Sequence, residues 1–147
     1  MLRPRILPIE SLSGKLRRAF LVAEAECKRA NGRFRHGACL IVSRNVSAGH
    51  NRLRPIAWAS VDRRKAAVER GEAWNARLCA HAEIMALHAA RKARNAPLSR
   101  ALVVVLRLDT EGRYAYSRPC AMCAHNLERV GVTRIYYTDG KGGLCAF

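Results

Sequence analysis

The chain has 147 residues, half of them hydrophobic, which fits one domain with a buried core and excludes general disorder. Charge is the outlier, with 27 Lys and Arg against 11 Asp and Glu, a formal net charge of +16. Twenty-two of the bases are Arg and 5 are Lys, and Arg is the better matched to planar, bidentate phosphate recognition. A domain this basic is expected to meet a polyanion or an anionic substrate, unless the charge is only a solvated surface.

The first twenty residues carry Arg3, Arg5, Arg17 and Arg18 and lack a continuous apolar stretch, so no secretory leader is expected. The longest apolar run, Ala101 to Leu106, suits a buried strand and is far too short to span a membrane. Six cysteines in a chain of this kind point to a reducing, cytoplasmic setting. Closely spaced cysteines there read as metal ligands or redox pairs rather than as disulfides.

Met1 to Leu12 reads as an irregular basic arm with Pro4 and Pro8. From Ser13, Leu16, Phe20, Ala23, Cys27 and Ala30 recur at helical spacing, and Asn31-Gly32 supplies a stop. Two short strands follow, Gly37 to Val42 and Val46 to His50, turning through Ser43-Arg44-Asn45. Residues 52–78 form a long basic insertion, with room for a short helix at Val61 to Arg70. Insertions of this length are more often working loops than idle chain. A second helix is expected from Ala80 to about Arg94, stopped by Asn95-Ala96-Pro97. The apolar strand Ala101 to Leu108 then turns through Asp109-Thr110-Glu111-Gly112 into a hairpin return at Arg113 to Ser117. A third helix from Cys120 to Val130, a strand from Thr133 to Thr138 and a few edge residues at Leu144 to Phe147 complete the order. That order predicts an α/β domain with helices packed on a mixed sheet, spanning residues 1–147 as one unit.

Three pieces of sequence carry chemistry: His81-Ala82-Glu83, Pro119-Cys120, and Cys123 three residues further on. A lone CxxC also fits a redox pair or half of a structural zinc site. The second reading wants another CxxC or paired histidines, and the first leaves His81 and Glu83 unused. Cys120 and Cys123, spaced i and i+3 at the start of a helix, project from one face. With His81 at the start of another helix, two positive helix ends favour thiolates and a bound anion. Three ligands leave a fourth tetrahedral position open for water, as catalytic zinc requires.

Together these residues match the H-x-E…P-C-x-x-C signature of zinc nucleobase deaminases. Over roughly Phe34 to Thr138 the chain resembles the cytidine deaminase-like superfamily. His81 to Leu87 and Pro119 to Cys123 look like its deoxycytidylate and tRNA-adenosine deaminase branches. The resemblance implies a three-layer α-β-α fold, with a mixed sheet of four to five strands and helices on both faces. It implies Zn2+ held by His81, Cys120 and Cys123, with Glu83 as the catalytic proton carrier. Substrate contacts are expected at Asn51, Ala82, Tyr116, Ser117, Arg118 and Pro119: Asn51 ends a strand similar to the family's Gly-x-Asn, and Tyr116 and Arg118 lead into the zinc ligands at a place suited to flanking-nucleotide or phosphate contacts. His36, His50, His88 and His125 read as packed or solvent-facing, His50 having the best claim to the pocket because Asn51 follows it. Cys27, Cys39, Cys79 and Cys145 read as small core residues.

The substrate is read from charge. A neutral nucleoside gives no use for +16, and a mononucleotide needs only one local basic cluster. A single-stranded DNA or RNA track uses a broad basic surface with aromatics for stacking. Arg52, Arg54, Trp58, Trp74 and Arg77 in the insertion are the candidate nucleic-acid contacts, although the two Trp residues serve equally well to pack the loop. Cytosine in single-stranded nucleic acid is therefore the expected target. Alternatives are (deoxy)cytidylate of the nucleotide pool, adenosine in tRNA, and a non-catalytic zinc-stabilised nucleic-acid binder. Two departures from the tRNA-acting branches stand out. Thirty-nine residues separate His81 from Cys120, and only 9 follow Thr138. That tail is too short for a further helix and parallel strand; a last strand at Leu144 to Phe147, if formed, would more easily run antiparallel, and this C-terminus more resembles short phage, viral or bacterial deaminase domains. A homo-oligomer is consistent with the resemblance.

Overall fold

The computed structural model describes residues 5–30, 35–51, 81–93 and 97–147. The expectations for the insertion at 52–78, including the helix at 61–70 and the contacts Arg52, Arg54, Trp58, Trp74 and Arg77, lie outside the described residues, as does Cys79.

Strand β1 (Ile6–Pro8) precedes helix α1 (Gly14–Arg29), the hairpin β2 (Arg35–Val42) and β3 (Asn45–His50), and helix α2 (Ala82–Ala93). Strand β4 (Leu102–Leu108), strand β5 (Tyr114–Ala115), helix α3 (Ala121–Arg129) and strands β6 (Arg134–Thr138) and β7 (Gly143–Ala146) follow. All seven strands join one mixed sheet in the order β1-β7-β6-β4-β2-β3, with β5 paired to β4. Among the described residues only β4 and β6 pair in parallel, and α3 lies between them in the chain. Because β2 already holds one edge of β4 at Arg107 and Leu108, β5 takes the other edge where β6 leaves off.

Alternation along β4 explains the two cores. Val103 and Val105 face α2 and α3 together with Ala38, Leu40, Ala86, Leu87 and Leu127. Leu102, Val104, Leu106 and Leu108 face α1 with Phe20, Ala23, Cys27, Cys39 and Ile41. The sheet is thus covered on both faces, giving the three layers expected. Burying each such side chain contributes about 1.5–3 kcal/mol.

Two glycines let the layers close. A Cβ on Gly37 would meet the Ala23 carbonyl and lie 2.6 Å from the Cys27 nitrogen, so β2 lies directly against α1. A Cβ on Gly49 would meet the Met85 Cβ and lie 2.7 Å from the Ala86 nitrogen, so β3 lies directly against α2.

The sheet has more strands than the four to five expected. The supposed irregular arm supplies β1, which pairs antiparallel with β7 through Ile6 and Cys145. Consequently Gly143–Ala146 is an interior strand rather than a ragged edge. It runs antiparallel to β6, the direction expected from the short tail.

Candidate zinc centre and active site

His81 immediately precedes α2, and its carbonyl accepts the Met85 amide at 3.1 Å. Cys120 caps α3 in extended conformation, and its carbonyl accepts the Ala124 amide at 2.9 Å. Both residues therefore stand at helix N-termini, where the positive ends of two macrodipoles favour anionic sulfur. Cys123 lies one turn into α3, on the side that brings its sulfur back to His81.

The His81 Nδ1 is 3.5 Å from the Cys120 Sγ and 3.2 Å from the Cys123 Sγ. One ligand atom from each residue lies within 4.8 Å of the other two, the three-donor cluster found among the described residues. Zinc–sulfur bonds of about 2.3 Å and zinc–nitrogen bonds of about 2.0 Å place tetrahedral donors roughly 3.5 Å apart. The donors are of the right kind at the right spacing, so zinc fits.

Their electrostatics are interlocked. The Cys123 thiol beside Cys120, helped by His81, holds the Cys120 sulfur down to about 4. The same contact, together with burial, pushes the Cys123 thiol up. Contact with Cys120 raises His81 against the opposing effect of burial. Glu83, in the first turn of α2, is 6 % exposed, and burial pushes its carboxyl up while the charge of His81 pulls it back. A carboxyl so placed is suited to taking up and releasing a proton.

The other expected contacts are distributed around this centre. Ala82 is fully buried as the first residue of α2, and Pro119 is buried beside Cys120. Asn51 extends the β3–β2 pairing: its Oδ1 accepts the His36 amide at 2.8 Å and its amide donates to the His36 carbonyl at 3.3 Å. Tyr116 and Arg118 are exposed on the loop leading into Cys120. Ser117, by contrast, turns its hydroxyl into the sheet, donating to the Val105 carbonyl at 2.7 Å and accepting the Thr138 amide at 2.8 Å. That side chain clamps the loop onto β4 and β6.

Two histidines changed places relative to their sequence reading. His50 is tied to α1 through Glu26 Oε2 at 2.7 Å, on the opposite side of the sheet from the thiols. His36 sits across from Arg107 on β4, and burial, then Arg107 and His81, hold its imidazole down to about 4. Strand alternation combined with the β2–β4 register would have found it, but register between distant strands is not written in either segment. Cys27, Cys39 and Cys145 are buried free thiols, as expected.

A layered α-β-α fold with a His-Cys-Cys centre at two helix N-termini and a buried Glu beside it defines a zinc-dependent deaminase. Residues 13–139 match the family model described as the cytidine and deoxycytidylate deaminase zinc-binding region, and the chain belongs to that family. The crystal structure of cytidine deaminase from Mycobacterium tuberculosis is similar, with 19% identity and a TM-score of 0.54 over 86% of this chain and 85% of that one. Cytidine deaminase from Mycobacterium leprae is similar at 17% identity and a TM-score of 0.55, over 90% of this chain and 94% of that one. At these identities the likeness is one of fold. Comparison with curated protein sequences finds no match.

Proposed function

We propose that this zinc deaminase hydrolyses cytosine to uracil within single-stranded DNA or RNA. The observation carrying the choice of substrate is the net charge of +16, which a neutral nucleoside would leave without a role. Arg118, exposed and two residues from Cys120, would bring part of that charge to the site. His81, Cys120 and Cys123 would hold the zinc ion. The chemistry zinc supplies when bound is a water whose pKa falls to about 7.

The chain's own groups do the rest. Glu83 takes the water's proton and passes it to the cytosine ring nitrogen as the oxygen bonds to C4; it then takes the proton of the new C4 hydroxyl and passes it to the amino group, so that the C4–N bond breaks and ammonia leaves. First-turn amides of a helix lack an intrahelical acceptor, and in this reading the Ala82 N–H donates to the base carbonyl. Asn51, anchored to His36, orients the sugar of the target nucleotide. Pro119 fills the wall beside Cys120 and helps exclude water.

The test is sequencing of randomised single-stranded DNA and RNA pools after incubation with zinc-loaded protein, with Glu83→Ala as the blank. Cytosine-to-uracil changes absent from the blank are expected. Unchanged pools together with turnover of deoxycytidylate or cytidylate would replace this reading with a nucleotide-pool enzyme, the substrate class that the family description also covers. Adenosine-to-inosine changes would instead reassign the base.

A further inference from the structure

Among the described residues, four large hydrophobic or aromatic side chains are exposed: Ile6, Leu21, Tyr116 and Phe147. The last two, 53% and 49% exposed, both pack against one buried ring. Tyr137, on β6, packs edge-on against Tyr116 at 5.8 Å and 82° and against Phe147 at 6.4 Å and 77°. The Arg118 guanidinium lies 5.1 Å from the centre of the Phe147 ring. Tyr116 and Phe147 thus share one buried ring as their support, and the cation lies over Phe147.

The backbone beneath it is fixed. Ser117 donates its amide to the Thr138 carbonyl at 3.0 Å, and its hydroxyl is locked between Val105 and Thr138. Phe147 donates its amide to the Ile135 carbonyl at 2.7 Å. Four residues separate Tyr116 from Cys120, so their Cα atoms stand at most about 14 Å apart. Packing on Tyr137 uses only part of each ring, and about half of each stays in solvent. A solvent-facing aromatic ring near a guanidinium is complementary to a nucleobase carrying its phosphate.

Building on the single-strand reading above, we propose that Tyr116, Phe147 and Arg118 form a ledge that stacks the base adjoining the target cytosine. Tyr116 supplies the stacking face, Phe147 supports the Arg118 guanidinium over its ring, and Arg118 meets the intervening phosphate. The site would accordingly prefer particular neighbours of the cytosine through stacking strength rather than through hydrogen bonds to base edges.

The test is a binding cycle on zinc-loaded Glu83→Gln protein, which binds without converting. The probes are single-stranded DNA and RNA oligonucleotides carrying one cytosine in an adenine tract, with either neighbouring base intact or replaced by an abasic residue. Removing the base on one particular side should weaken binding about 5- to 100-fold in the parent. The same removal should cost Tyr116→Ala nothing, and Tyr116→Phe should restore the parent's response. Equal losses in parent and Tyr116→Ala, with strand binding otherwise intact, would overturn the ledge and leave the polynucleotide reading standing. Failure of the parent to bind any strand would overturn both. A Tyr116→Ala protein that differs only by dissociating in sedimentation would show that the rings pair two copies of the chain instead. Zinc content and far-ultraviolet circular dichroism of each variant establish that it is folded.

Discussion

Glu83 combines burial with a position one residue beyond His81 plus Ala82, so its carboxyl is both desolvated and aimed at the metal end of α2. Glu83→Gln keeps the shape and removes the proton traffic. Turnover should fall by about 10²–10⁴-fold while bound zinc stays at the parent level, measured by product assay and metal analysis. The pair of cysteines makes a different prediction. Cys120 is held as a thiolate but the Cys123 thiol is pushed up, so metal entry must displace the Cys123 proton. Zinc affinity should therefore rise with pH, about tenfold per unit for each proton displaced, and fall in acid as the thiol re-forms. Competition with a zinc-chelating dye checks this, and a flat profile between about pH 6 and 8 would contradict it. All four of these residues were legible in the sequence because their spacing is local and their chemistry unusual. Ser117 was not: nothing in Tyr116-Ser117-Arg118 tells that the middle hydroxyl turns inward to Val105 and Thr138.

At the scale of elements, the site depends on how closely α2 can approach the sheet. Gly49 sets that approach, because any side chain there runs into Met85 and the Ala86 backbone. Gly49→Ala should push α2 outward, cost about 1–3 kcal/mol and lower Tm by roughly 3 to 12 °C. Turnover should suffer as well, since the displaced helix carries Glu83 and adjoins His81. An unchanged Tm would mean that the helix slides without cost. Most elements were readable because their hydrophobic period runs long enough, as in α1 with Phe20, Ala23 and Cys27, or in the unbroken Leu102–Leu108. β1 was unreadable for the converse reason. Ile6-Leu7-Pro8 is three residues long, has no period to detect, and becomes a strand only because β7 offers it a partner. The extra strands in the sheet come from pairings of this tertiary kind.

For the whole molecule, the surplus of 16 positive charges should govern how a polynucleotide is met and how firmly it is held. Binding of a single strand should weaken linearly in a plot of log affinity against log salt, with a slope near −0.7 for each phosphate neutralised. A slope close to zero would mean that the charge serves no strand. Among the described residues no helix is long and apolar enough to cross a membrane.

The zinc donors come from two helices that are remote in sequence, 39 residues from His81 to Cys120 and 42 from His81 to Cys123. An ion bound there is also a cross-link, fastening the first turn of α2 to the first turn of α3. Free zinc at 100 times its dissociation constant would add about 2.7 kcal/mol to stability. Chelation should therefore lower Tm and speed amide exchange at the starts of those two helices, while α1, on the far face of the sheet, keeps its protection. The protein would then lose its grip on its own architecture at the same place, and at the same moment, as it loses its chemistry.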